Sequence, residues 1–219
     1  MTSNSVENVR ENYDRIADQY ASHIFHELED KPLDRELLTR FAAMVKSRGV
    51  ACDMGCGPGH VARFLGDAGA NVFGLDLSPH MIALAKRLVP HIEFRTGNML
   101  ALDLPSDSLG GITAFYSIVN IPMESIPAVF GEMFRVLAPG GMLLLAFHIG
   151  DEILRPEELW GQPIAMEFYH LQLAPIQSLL MGAGFEIADV VERDPYPDVE
   201  FQSRRAYIFA RKPDPLRPA

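Results

Sequence analysis

Strand and helix patterns alternate through the middle of this 219-residue chain, which predicts an α/β fold. The predicted sheet is seven-stranded and mostly parallel, with helices on both faces and one antiparallel strand near its edge. Three observations carry the prediction. Short apolar runs of strand length recur between amphipathic helical stretches. A glycine-rich turn, GCGPG, follows the first run, as in open sheets that bind ligands at the carboxyl ends of their strands. Near the end, FEIADVVERD and RRAYIFARK are joined only by PYPDVEFQS, too short for a crossover helix and so a link between antiparallel neighbours.

Val6, Val9, Tyr13, Ile16, Ala17 and Tyr20 recur at intervals of three and four, one apolar stripe on a first helix. Leu33, Leu37, Leu38, Phe41 and Val45 mark a second, stopped by Gly49 in the left-handed position. VACDM then reads as a buried strand, and Gly55 to Gly59 turn into a helix with Val61, Phe64 and Leu65. NVFGLD is the second strand, and Ser78-Pro79 caps the helix MIALAKRLV. IEFRT and GITAFYS follow as strands, IPAVFGEMFRVLA as a helix closed by Pro139-Gly140-Gly141, and MLLLAFH as a central strand. A last helix near Pro175 to Met181 stops at Gly182 and Gly184, before the final strand pair.

The reading is one domain over 1–212, with 1–48 as a lid and first core helices, 149–174 as a substrate-side insertion, and 213–219 as a loose tail. Hydrophobic residues are 48% and charged residues 22%, ordinary for a chain with a real core. A net charge of −10 argues against nucleic acid as a partner. No apolar run approaches the roughly 20 residues of a membrane span, and MTSNSVENVRENYD has no secretory pattern, so the expected location is cytoplasmic. Cys52 and Cys56 read as small buried hydrophobes, and no metal site is expected, since His23 and His26 lack further ligands.

Gly55, Gly57 and Gly59 run G-x-G-x-G, with His60 where a dinucleotide fingerprint has glycine. Asp53 precedes the first glycine, where a carboxylate would repel a pyrophosphate but accept from an ammonium group. Asp76 ends the second strand, at the usual distance for an acid that takes two ribose hydroxyls. A ligand with a ribose and an amine fits this pattern, and S-adenosylmethionine has both.

DMGCGPG, GLDLSPHMIALAK, GNMLALDLP and the helix ending RVLAPGG resemble, in that order, successive motifs of class I S-adenosylmethionine-dependent methyltransferases of the small-molecule type-11 or type-25 group. The resemblance runs from about Tyr13 to Lys212 and implies their Rossmann-like fold. It implies that Asp53, Gly55 and Gly57 surround the methionine part of the cofactor, Asp76 its ribose, and Leu77 and Met81 its adenine. Asn98 stands where the family usually has aspartate, and its amide oxygen can accept from the adenine amino group; Met99 lies beside it. Tyr116 would lie near the methyl-bearing sulfur. YDRIADQYA resembles the family's lid helix, with Tyr13 toward the substrate and Tyr20 toward the cofactor carboxylate.

For the acceptor, a small molecule methylated at oxygen or nitrogen, His148 at the end of the fifth strand is the candidate base. Trp160, Tyr169 and Arg204 are candidate substrate contacts. Asn120-Ile121-Pro122-Met123 faintly resembles the Asn-Pro-Pro-aromatic motif of enzymes that methylate exocyclic amines, without the aromatic residue. Two alternatives stay open: a nicotinamide-dependent oxidoreductase, and a catalytically inactive S-adenosylmethionine-binding subunit. Nothing in the sequence fixes the oligomeric state.

Overall fold

Leu143, Leu145 and Phe147 alternate along one strand with Met142, Leu144 and Ala146, and the two sets feed separate cores on opposite faces of one sheet. The computed structural model describes residues 4–215; the end of the expected loose tail, 216–219, lies outside them. The elements in chain order are α1 (Val6–Ile24), a 3₁₀ turn (Glu27–Asp30), α2 (Pro32–Val45), β1 (Ala51–Met54), α3 (His60–Asp67), β2 (Val72–Asp76), α4 (Pro79–Leu88), β3 (Glu93–Thr96) and β4 (Leu109–Phe115). A second 3₁₀ turn (Met123–Ser125), α5 (Ile126–Val136) and β5 (Leu137–His148) follow. Then come four two-residue strands, β6 (Ile153–Leu154), β7 (Glu158–Leu159), β8 (Gln162–Pro163) and β9 (Phe168–Tyr169), before α6 (Leu173–Gly182), β10 (Glu186–Arg193) and β11 (Arg205–Arg211).

The main sheet has seven strands in the order β10-β11-β5-β4-β1-β2-β3. β11 runs antiparallel to both neighbours and β1 to β5 are mutually parallel, so the reversed strand sits one place in from the edge. The odd-numbered side chains of β5 pack with Phe130 and Met133 of α5 and Ile176 and Leu180 of α6. The even-numbered ones pack with Leu38, Phe41 and Val45 of α2 and Val61 and Leu65 of α3.

Caps set where the helices begin. Ser5 Oγ accepts from Asn8 N–H at 3.1 Å to open α1, and Ser78 Oγ accepts from Met81 N–H at 3.0 Å to open α4, with Pro79 in its first turn. α5 ends at Val136, earlier than the sequence pattern suggests, because the backbone from Leu137 already pairs with Leu109 in the sheet. The strand order reverses beside β1, between β1 and β4, and the crevice there holds the site.

Candidate active site

The turn after β1 is built on left-handed glycines: φ is +73° at Gly55, +51° at Gly57 and +86° at Gly59. A Cβ at Gly55 would lie 2.3 Å from the Ser117 Cβ, so no other residue fits this approach to the end of β4. Tyr20 of α1 reaches over the turn, its ring carbon 3.6 Å from where a Gly57 Cβ would stand.

α1 roofs a cavity of about 120 Å³ over the carboxyl ends of β1, β2 and β4. Asp53, Gly55, Gly57, Asp76, Leu77, Met81, Asn98, Met99, Tyr116, Tyr13 and Tyr20 all line it. Asp14 fastens the lid to the opposite wall, accepting from Ser78 Oγ at 2.6 Å and from His80 N–H at 3.2 Å. The two lid tyrosines pack edge to face at 5.9 Å, and Tyr13 Oη donates to Asn120 Oδ1 at 2.7 Å.

Two carboxylates sit at the strand ends in different states. Asp53 is 1% exposed; burial pushes its carboxyl up to about 6, against the hydrogen bond that Thr113 Oγ1 donates at 2.9 Å. Its second oxygen, Oδ2, makes no hydrogen bond, and the backbone N–H of Ala62 in α3 also works to lower the carboxyl. Asp76 is also raised by burial, but both its oxygens accept backbone bonds, from Gly57 N–H at 2.8 Å and Ser78 N–H at 2.9 Å. Asn98 Oδ1 accepts from Leu100 N–H at 2.9 Å, which turns the chain along the cavity wall.

Sequence reading missed a further polar pair. His60, the first residue of α3, and Glu27, in the 3₁₀ turn after the lid helix, both line the cavity, with Nε2 3.1 Å from Glu27 Oε1. Burial works to raise the Glu27 carboxyl, but His60 and Lys31, the latter at 2.5 Å, hold it at about 2. His60 had figured only as the residue displacing a dinucleotide glycine, and Glu27 lies off the periodic stripe of α1.

Four expected site residues do not line the cavity. His148 lies behind Tyr116, ring centroids 5.1 Å apart, with Nδ1 2.7 Å from Ser203 Oγ. Burial, with Arg205, His170 and Lys31 nearby, holds it down at about 3, so it is a neutral ring. Trp160 stacks on His23 at 4.6 Å and packs edge to face on Tyr20 at 5.6 Å, bracing the lid. Tyr169 donates to Glu167 Oε2 at 2.5 Å, and Arg204 is exposed and paired with Glu192 at 2.8 Å. The segment expected to line the acceptor side instead braces the lid: Ala165 N–H donates to Asn12 Oδ1 at 2.9 Å, and Ile164 and Met166 pack on Ile16.

Residues 51–141 match the model of the "Methyltransferase domain" family, which spans the glycine turn, both strand-end acids and the wall from Asn98 to Asn120. Over this span the chain is similar to class I S-adenosylmethionine-dependent methyltransferases. A probable S-adenosylmethionine-dependent methyltransferase of Mycolicibacterium smegmatis is 29% identical over 145 residues, 64% of this chain and 52% of that protein. The malonyl-[acyl-carrier protein] O-methyltransferase of Serratia marcescens is 26% identical over 149 residues, 67% of this chain and 58% of that one. The matched region thus spans little more than half the length of either relative. Among solved structures, a SAM-dependent methyltransferase from Methanosarcina mazei superposes with a TM-score of 0.69 at 18% identity, covering 77% of this chain and 94% of that one, which shows the shared fold.

The cavity fits the cofactor of that family, S-adenosylmethionine. An orphaned carboxylate oxygen on Asp53 offers an ammonium partner, the glycine turn admits close backbone approach, and the cavity walls include Leu77, Met81 and Met99.

Proposed function

We propose that this chain methylates a small molecule at oxygen or nitrogen, using S-adenosylmethionine held between the lid and the ends of β1 and β2. The observation that carries the reading is the Asp53 side chain, buried at the end of β1 in the cavity wall with one oxygen unpartnered. When bound, the cofactor supplies a sulfonium methyl open to in-line displacement.

In this reading Asp53, Gly55 and Gly57 hold the amino-acid part, Asp76 the ribose, Leu77 and Met81 the adenine face, and Asn98 and Met99 its edge. Tyr20 covers the turn. Asp76 has spare lone pairs for two hydroxyls beyond the amides it accepts from, since each carboxylate oxygen takes more than one bond. The rest of the cavity, bounded by Val6, Val9, Tyr13, Tyr116, Ile121 and Pro122, is left for the acceptor. Burial pushes the Tyr13 and Tyr116 hydroxyls up, so both stay protonated, and His148 is outside; catalysis rests on placing the acceptor behind the methyl group. Asn120 accepts from Tyr13 and donates one amide hydrogen to the Glu167 carbonyl at 2.7 Å, which fixes its side chain against the lid. The Serratia marcescens relative, named for transfer to oxygen, supports an oxygen acceptor over a nitrogen one.

Calorimetric titration with S-adenosylmethionine, S-adenosylhomocysteine and NADH tests the reading. Binding of the first two, weakened at least about tenfold in Asp76→Ala, is expected. Binding of NADH alone would reverse the assignment toward the oxidoreductase.

A further inference from the structure

Two residues that line this cavity each carry a buried polar atom without a partner: Asp53 its Oδ2 and His60 its Nδ1. Asp53 is 1% and His60 8% exposed. The two side chains are close enough for the imidazole to pull the Asp53 carboxyl down electrostatically. They come from opposite ends of the glycine turn, Asp53 from the end of β1 and His60 from the first residue of α3.

The hydrogen-bond chemistry of His60 fixes what its free nitrogen can take. Glu27 can only accept, so Nε2, 3.1 Å away, carries a proton toward it. A ligand carboxylate at Nδ1 can likewise only accept, so a bond there needs Nδ1 to be the donor. The amino end of α3 adds its own preference for negative charge at that point. Other cations nearby are engaged: Lys31 is shared between Glu27 at 2.5 Å and Glu200 at 3.4 Å, and Arg63 lies over the Phe25 ring at 4.4 Å.

We propose that Asp53 and His60 form a receptor for the zwitterionic amino-acid end of the cofactor, Asp53 Oδ2 accepting from its ammonium and His60 Nδ1 donating to its carboxylate. Glu27 is the positioning residue, and because it follows the lid helix, the receptor is complete only with the lid in place. The inference rests on the cofactor reading above and adds His60 as a partner of the carboxylate, beside the Tyr20 that the lid resemblance turns toward it.

Two nucleosides separate the claims. S-adenosylhomocysteine carries the zwitterion, and 5′-methylthioadenosine has the same nucleoside and sulfur without it. By calorimetry the unaltered protein should bind S-adenosylhomocysteine the more tightly. His60→Phe should weaken it about tenfold to a hundredfold while methylthioadenosine stays within about twofold, and Glu27→Gln should act in the same direction. His60→Gln, whose amide can donate to a carboxylate, should recover part of the loss and serves as the test if the Phe variant does not fold. Equal losses for both ligands, no loss for either, or no preference in the unaltered protein would overturn the receptor. Failure of the unaltered protein to bind either ligand would instead remove the cofactor reading beneath it.

Discussion

Replacing Asp53 by asparagine should stabilise the ligand-free protein, and only above a definite pH. The Asp53 carboxyl moves from an ordinary 3.8 to about 6 on folding because burial penalises its charge more than Thr113 relieves it. Between those values the folded protein keeps a proton that the unfolded chain has released, so this group favours folding fully below pH 4 and loses that contribution as pH rises through 6. The shift corresponds to about 3 kcal/mol at neutral pH. Asparagine keeps the acceptor for Thr113 and carries no charge, although its amide group puts two N–H donors where the unpartnered Oδ2 now stands, which offsets part of the gain. A gain of about 2 to 3 kcal/mol, or roughly 4 to 10 °C in Tm for a chain of this length, is therefore expected at pH 7.5. Thermal unfolding of both proteins without ligand, from pH 4 to 8, reads it, and the gain should fade toward pH 4. A variant equally stable or less stable at pH 7.5, or a gain that does not change with pH, would refute the reasoning. The same variant should lose affinity for S-adenosylhomocysteine, stability and binding moving in opposite directions.

In the unaltered protein, S-adenosylhomocysteine should bind about tenfold more weakly at pH 5 than at pH 7, because an ammonium partner needs the ionised Asp53; calorimetry at the two pH values checks this. Gly55→Ala places a Cβ 2.3 Å from the Ser117 Cβ at a backbone φ of +73°, and should cost about 1 to 3 kcal/mol in denaturant unfolding and abolish cofactor binding. Tyr207→Phe removes a hydroxyl that donates to buried Asp34 at 2.6 Å and accepts from Arg193 at 2.9 Å, a loss of about 1 to 3 kcal/mol measurable by thermal unfolding. Arg204→Ala, on an exposed pair, should change stability by less than about 1 kcal/mol and leave S-adenosylhomocysteine titrations unaltered.

The strands and helices of the α/β core were legible because each rests on local pattern: glycines at the first turn, a Ser-Pro cap before α4, period-two apolar runs in β4 and β5. The short link before β11 was enough to reverse that strand. The lining residues around the first two strand ends were equally legible, since a strand end and the turn after it fix where a side chain points. The insertion was not. Its residues are set by tertiary contact with α1, as Trp160 on His23 and Ala165 on Asn12 show, and no periodicity encodes that choice. Glu27 was invisible for a related reason: it sits in a 3₁₀ turn, where helical spacing no longer says which side faces in.

His148 shows why a place at a strand end does not suffice. Its strand pairs it with Arg205 of β11, and the loop before β11 folds over that end, bringing Ser203 onto its Nδ1. Beneath the loop lies a buried polar group in which Asp34 accepts from both Tyr207 and Arg193, and Arg193 and Arg205 share Glu200. Tyr207 has one proton and gives it to Asp34, so in the 2.8 Å contact between the two phenols Tyr116 must be the donor. The Tyr116 hydroxyl is therefore committed away from the cavity, and a left-handed φ of +55° holds its ring against the wall. What the cavity meets at that wall is an aromatic ring whose proton is already spent, which suits it to shaping the acceptor space rather than to exchanging protons with an acceptor.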